Sequence, residues 1–389
     1  MRRAFSAARR QTGLSLIELM IAMVIGLVLM LGVIQIFAAS RAASRLAEGN
    51  ARAQENGRFA IEFLQRDIRM AGHFGCVNDQ AHFVKGEGDP VITTGAATGS
   101  GHPLDFSVSI QGYEAPSTAP GGQLTLGDTW AGAAGLPASI SALNPRGGSD
   151  ILVLRYLAAE GVPVTALTAG VDSVVGFNAG AGTRLTEGAV PAPGLFGVAD
   201  CSHANVFRGT YAAGSVNAPA TNLNRFTVQP TGQTMIYRAE SVVYYVGTSV
   251  SGEPALMRAR STGVNANTYD MREELVEGIE SLQLLFGLDS TTVMSSTTPP
   301  AGNITTQAVA SGVTSDANAT GAAQWRRVGQ VQVGVLARSP GRSQAEAPTD
   351  AVHYPRALGV GFAPGSTRDG RYRTTYESTI ALRNRLFGN

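Results

Sequence analysis

The side chains best able to do chemistry are few, and their spacing speaks against a metal site or a catalytic constellation. The five histidines are His73, His82, His102, His203 and His353. None belongs to an H-x-x-x-H pair or any other metal-ligand spacing. Cys76 and Cys201 lie far apart, outside any C-x-x-C pattern and without a nearby histidine pair. They fit one long-range disulfide better than a metal site. His73 and His203 neighbour the cysteines in sequence and would approach each other if that bond forms; packing or surface histidines are the simpler reading. There is no G-x-S-x-G elbow and no phosphate-binding loop. Asn178–Arg184 lacks the third glycine of a dinucleotide fingerprint and follows no βαβ pattern. Asp289 opens a loop without the alternating acids of a calcium site. The sequence therefore predicts a non-catalytic protein with no metal and no cofactor.

One carboxylate remains, and its chemistry is electrostatic. Glu18 stands near the start of an almost wholly apolar run from Leu14 to Ala39. A carboxylate in hydrocarbon costs roughly 2.5–3.5 kcal/mol at mid-membrane and less near an interface. Arg2, Arg3, Arg9 and Arg10 precede the run, and Arg41 and Arg45 follow it. The run is too long for an ordinary secretory signal, and no clean A-x-A cleavage site follows. It reads as a single span with its amino end in the cytoplasm. A positive charge within a few ångströms of Glu18 would favour the ionised form and offset its desolvation.

A long helix must carry that glutamate. From Ser40 to about Ala71 the sequence has no proline, so the helix continues past the apolar run. Leu46, Ala53, Ala60, Leu64 and Ile68 form an apolar stripe, with Phe59 and Phe63 beside it. Glu48–Arg52 and Glu62–Arg66 are i,i+4 pairs on the opposite side. Gly72 is the expected stop. Gly26, Gly32, Gly49 and Gly57 interrupt the pattern, each costing about 1 kcal/mol relative to alanine. They serve close packing or local melting, or are simply tolerated. A helix from Leu14 to Ala71 would be about 85 Å long.

From His73 onward the pattern changes to period two. Leu104–Ile110, Asp150–Leu157, Ser241–Gly247, Val328–Ser339 and Arg371–Asn384 read as strands. Ile279–Asp289 reads as a strand entered from a helical turn at Arg272–Glu277. Gly112–Gly148 and Ser290–Ala323 read as long loops, either mobile or covering an edge. The fold class is therefore α+β: a long amino-terminal helix packed on a large antiparallel β-rich head.

Bulk composition agrees. The chain of 389 residues is 44% hydrophobic and 15% charged, with 47 glycines. That is enough for a real core in one large or two ordinary domains. The net charge of +1 gives no electrostatic case for nucleic acid.

The order Gly13-Leu14-Ser15-Leu16-Ile17-Glu18-Leu19 after a short basic leader resembles the class III signal of type IV prepilins. In that family a membrane peptidase cuts after the glycine and the new amino group is N-methylated. The resemblance implies a cut between Gly13 and Leu14 and methylation of Leu14, where the family usually has phenylalanine. It also implies that Glu18 pairs with the terminal amine of a neighbouring subunit. Further stretches resemble the PilW-type minor pilins: "LQRDIRMAGHFGC" (Leu64–Cys76), "FGVADCSHANVF" (Phe196–Phe207), "LVEGIESLQLLFGLD" (Leu275–Asp289), "WRRVGQVQVGVLARSP" (Trp325–Pro340) and "TIALRNR" (Thr379–Arg385).

The organisation expected from this resemblance is a leader at 1–13, a transmembrane half-helix at 14–39, an amphipathic half-helix at 40–72 and a β-rich periplasmic head at 73–389. The expected function is that of a minor pilin that helps initiate a type IV pilus and is incorporated near its tip. Expected partners are other minor pilins, the major pilin, a tip adhesin, the prepilin peptidase and the inner membrane. The final location would be the pilus at the cell surface. Two alternatives stay open: a J-type pseudopilin of a type II secretion system, and an uncleaved membrane-anchored adhesin or binding module.

Overall fold

Cβ atoms built on Gly49 and Gly57 would collide with the rest of the protein, and this close approach organises the fold. In the computed structural model the residues described are 13, 15–78, 90–188, 190–265, 267–294, 298, 300–343, 345–346, 348, 350–365 and 369–385. One helix, α1, runs from Leu16 to Ile68. At 1.5 Å per residue it is about 80 Å long. Its buried positions are Gly49, Ala53, Gly57, Ala60, Leu64, Asp67 and Ile68, a single stripe at three- and four-residue spacing. Four of the seven are glycine or alanine. A Cβ on Gly57 would lie 2.2 Å from the Tyr376 ring, and one on Gly49 would lie 2.6 Å from Ser343 Cβ. The stripe begins at Gly49, because Leu46 is exposed; Phe59, off the stripe, is exposed too. Arg52 meets Glu55 at 3.8 Å instead of Glu48.

The stripe packs on an antiparallel four-stranded sheet in the order Ile304–Ala308, Ile279–Asp289, Val328–Arg338, Arg373–Ala381. Val331, Val333 and Val335 of its central strand are fully buried. Behind this sheet lies a larger one of twelve strands among the described residues. Its spine is Met235–Thr248, fourteen residues buried at every position except the two ends. The amino half of the spine pairs with Leu195–Ala199 and Val162–Thr168; the carboxyl half pairs with Ile151–Leu157 and Pro254–Ser261. Val242–Val246 is the continuous apolar run expected of a strand covered on both faces, and the buried Arg238 of the amino half is paired with Glu240 (2.7 Å). One core joins the layers: Leu64 and Ile68 of α1, Leu282, Leu284 and Phe286 of the small sheet, and Leu152, Leu154 and Val242 of the large one.

Three expectations change. Leu104–Ile110 is not a strand before Ile110; it is a chain of tight turns. Its alternate residues Leu104, Phe106, Val108 and Ile110 are buried as the pattern implies. Their backbone is satisfied differently. The fully buried Arg155 donates to the carbonyls of His102, Pro103 and Val108 (2.9, 3.4 and 2.7 Å), so a guanidinium fork replaces a ladder. Arg272–Glu277 belongs to a strand, Met271–Glu277, and not to a helical turn. It pairs with Pro254–Ser261, where Arg258 meets Glu273 at 2.7 Å. The tract Ser290–Ala323 holds an edge strand, Ile304–Ala308, and the short helices Ala310–Val313 and Ala319–Trp325.

Where the helix enters the head, ion pairs link three segments. Arg338 binds Glu253 and Glu280, Arg371 binds Glu253 at 2.8 Å, and Arg373 binds Glu280 and Asp369, each at 2.6 Å. Burial works against ionisation of Asp369, but bonds from Arg373 and the Arg371 amide outweigh it and hold its carboxyl at about 2. Its folded value is thus below its ordinary 3.8, so its contribution is full above that value and is lost as the pH falls toward 2. Melting of the full chain in detergent should show Asp369→Asn less stable than wild type at neutral pH. The gap should close between about pH 4 and pH 2; a gap independent of pH would contradict the assignment.

Gly57→Leu should destabilise the head by about 1–3 kcal/mol, because the Tyr376 ring occupies the required space. Gly32→Leu should leave head stability unchanged, since nothing lies within 4 Å of a Cβ there. Equal effects at the two positions in denaturant titrations would refute the packing account.

Candidate functional site

Among the described residues, the first half of α1 has no partner inside the chain. The large apolar residues from Leu16 to Phe37 are all more than half exposed. Built Cβ atoms on Gly26 and Gly32 meet nothing. The helix is long and apolar enough to cross a membrane. Leu16–Ala39 spans about 36 Å against a hydrocarbon thickness of about 30 Å. At the end of the run the Arg41 guanidinium lies 4.3 Å from the centroid of the Phe37 ring.

Ser15 and Glu18 open this helix as a capping box. The Glu18 amide donates to Ser15 Oγ (3.2 Å), and Glu18 Oε2 accepts from the Ser15 amide and hydroxyl (both 3.0 Å). Two otherwise unpaired donors of the first turn are thereby satisfied. Both bonds to the carboxylate use Oε2 and neither uses Oε1. Ser15 was readable as the first residue of an S-x-x-E pattern before an apolar run. Gly13 is exposed, and a Cβ on it would meet nothing within 4 Å. The fold itself therefore does not require glycine there. Leu14 lies outside the described residues.

The other end of α1 is fixed firmly. Asp67 is buried and accepts from the Tyr244 phenol (2.5 Å) and the Arg258 guanidinium (3.0 Å). Burial first, and then the Asp67 charge, pushes the Tyr244 phenol well above its ordinary value, so it stays a donor. Asn384 near the carboxyl terminus donates to the Arg69 carbonyl at 3.0 Å. Cys76 and Cys201 are bonded, with Cα atoms 4.8 Å apart across 125 residues of sequence. Closing a loop of that length is worth about 4–5 kcal/mol in the chain-entropy account. Gly13 and Glu18 therefore sit at one end of the helix and the disulfide just beyond the other.

The two histidines near the cysteines pack against rings. His73 meets Tyr237 edge-on at 6.4 Å and His203 meets Phe226 at 6.3 Å. Burial alone lowers the His73 pKa. Among the described residues no group of three or more His, Cys, Asp or Glu is placed to hold a metal. His82 lies outside the described residues.

Comparison with known proteins bears on both ends. The family model for type IV pilus-assembly protein W matches residues 243–384, and that for the prokaryotic N-terminal methylation motif matches residues 8–34. The two matches support a prepilin-like pilin of the PilW type. The PilW match covers the spine strand from Val243 and all four strands of the sheet beneath the helix. The methylation motif covers Gly13, Leu14, Ser15 and Glu18. Among solved structures, a type IV-like pilin from Thermus thermophilus is 15% identical, covering 38% of this chain and 67% of its own, with a TM-score of 0.21. A search of curated protein sequences finds no match.

The cap and the head are energetically separate. Ser15→Ala should weaken the first turn by about 1 kcal/mol. In micelles, amide exchange at Glu18 should then accelerate about fivefold, with the melting temperature of the head unchanged. Unaltered exchange would show that the box does not hold the turn.

Proposed function

We propose that this pilin is a minor subunit that helps initiate a type IV pilus and is incorporated near its tip, without catalysing a reaction. One observation carries the reading: a single helix is sealed to the head along residues 49–68 and presents bare apolar surface before them. Such surface needs lipid or other helices. The bilayer supplies lipid before assembly, and the apolar helices of other minor pilins and of the major pilin supply contacts afterwards. A tip adhesin is the expected distal partner. The head stands in the periplasm and later at the cell surface.

Processing follows the same logic. Because nothing among the described residues demands glycine at position 13, the demand is assigned to the prepilin peptidase that cuts between Gly13 and Leu14. Methylation of Leu14 follows. The new amine gives a neighbour's Glu18 an opposite charge, and its Oε1 is not used by Ser15. In a low-dielectric setting a buried charge left without its partner costs several kcal/mol, roughly 3–5 when one member of a pair is removed.

The mature chain isolated from membranes should begin at N-methyl-Leu14 by intact mass. Retention of Met1 would sink the processing step, and Gly13→Phe should leave the precursor uncut. Glu18→Ala should leave head melting unchanged, reduce co-purification with other minor pilins and lower the number of surface pili. Normal piliation in that strain, where deletion of the whole protein abolishes pili, would refute the pairing role.

A further inference from the structure

Where α1 leaves the head, the segment that follows Val328–Arg338 folds against it. Ser343 of that segment occupies the space a side chain at Gly49 would need. The segment is pinned to the head: the Ser343 amide donates to the Gly370 carbonyl (2.8 Å), and Arg371 donates to the carbonyls of Ser339 and Pro340 (3.0 and 2.6 Å). Between segment and helix lies an open cleft of about 500 Å³. Arg45, Arg52 and Arg342 line it, with Glu48 and Glu277.

The cations of this cleft are accessible and poorly matched within the chain. All three arginines are exposed, Arg52 over 60% of its side chain. Arg52 meets Glu55 at 3.8 Å, a long contact between exposed groups that contributes little. Among the described residues the guanidinium groups of Arg45 and Arg342 have no ion pair and no hydrogen bond. A pinned segment thus holds one unpaired guanidinium at the same cleft as another from the helix.

Position along the helix says what they meet. At 100° per residue Arg41, Arg45 and Arg52 fall within about 40° of one another, on one face. Helix side chains lean toward the amino end, here the bilayer side. With the apolar run in hydrocarbon, Arg41 stands about 3 Å and Arg45 about 9 Å beyond Ala39 along the axis. The polar layer of one leaflet is about 5–8 Å deep, so both long side chains reach its phosphates. The acids lie behind them. Glu48 is about 4.5 Å further along the helix than Arg45, and Glu277 is level with Asn56, which donates to its carbonyl at 2.8 Å.

Charge selects the lipid. Arginines beyond the span run against the bias of basic residues toward the cytoplasm. Over a leaflet of negative lipid the same arginines are attracted. The guanidinium fork matches phosphate oxygens in pairs. A zwitterionic lipid offers the same phosphate, but its own ammonium opposes the attraction.

We infer that this cleft docks the head on the phosphate of an anionic phospholipid in the leaflet from which the helix emerges. The inference rests on the membrane anchoring proposed above.

The test uses the full chain in nanodiscs of equal phosphatidylglycerol and phosphatidylcholine, released in mild detergent and weighed by native mass spectrometry. One phosphatidylglycerol should stay with each chain, at least about tenfold in preference to phosphatidylcholine. Arg45→Gln should lower that preference about fivefold, and Arg45→Gln with Arg342→Gln should abolish it. The melting temperature of the head should not change, because both groups are exposed and unpaired. Arg69→Gln, exposed at the far end of the same helix, should leave the preference intact. Soluble glycerol phosphate should not displace the lipid. Equal retention of the two lipids by an inserted chain would overturn the inference. So would a wild-type preference in the folded double variant, or a loss in Arg69→Gln as large as in Arg45→Gln. Displacement by glycerol phosphate would assign the cleft to a free phosphate and overturn the lipid. A chain that stayed outside the discs would refute the anchoring as well; an inserted chain without preference would refute this inference alone.

Discussion

The small-residue stripe on α1 sets the geometry of everything else. With glycine at 49 and 57 and alanine at 53 and 60, the helix backbone comes close to the sheet, and Tyr376 and Ser343 occupy the space side chains would have taken. Glycine inside a helix costs about 1 kcal/mol relative to alanine. Here that cost is offset by close contact with the small sheet. From Ala60 onward, with Leu64 and Ile68, the helix reaches the shared core of the two sheets. The sealed half is thus rigid by packing, and the free half is helical by composition. The two halves meet between Glu48 and Gly49 without a break in the backbone hydrogen bonds.

Buried polar groups then fix the layers relative to one another. Asp67 ties the helix to the large sheet through Tyr244 and Arg258. Asp150, at the start of a large-sheet strand, accepts from the Leu284 amide of the small sheet (2.9 Å) and from the Ala115 amide (3.0 Å). Burial first, and then Glu114, pushes its pKa well above the ordinary carboxylate range, while those amides pull it down. Arg155 fastens the turn-rich segment that crosses the end of the large sheet. Such ties add little net stability compared with apolar contacts, but breaking one strands a buried charge. They select one arrangement of the layers.

The sequence made local features legible and hid distant ones. The basic leader, Gly13, Glu18 and the apolar run are read from neighbours a few residues apart. The strands Val328–Arg338 and Ile279–Asp289 announce themselves through alternation or length. Leu104–Ile110 shows the same alternation but is not a strand. Its burial is real, and the deciding partner, Arg155, lies some fifty residues away. Met271–Glu277 does not read as a strand because its Glu273 pairs across to Arg258 and Arg260 and not along the chain. Ile304–Ala308 escaped because an edge strand with exposed Thr305, Thr306 and Gln307 needs no apolar alternation. Asp67 interrupts an apolar stripe, and its partners stand 177 and 191 residues further on.

The capping box sharpens what Glu18 requires of its surroundings. A hydroxyl and an amide solvate a carboxylate, but they do not cancel its charge. Inside hydrocarbon Glu18 still needs a cation. Within the chain beyond the cut, the first basic residue is Arg41, about 35 Å further along the helix. The arginines before the leader cut leave with the leader in the proposed processing. A chain's own new amine at Leu14 adjoins Ser15, whose amide already holds Oε2; the free oxygen is Oε1. In the proposed assembly a neighbour's amine meets Oε1, the oxygen that Ser15 does not use, so the cap and the charge are satisfied together.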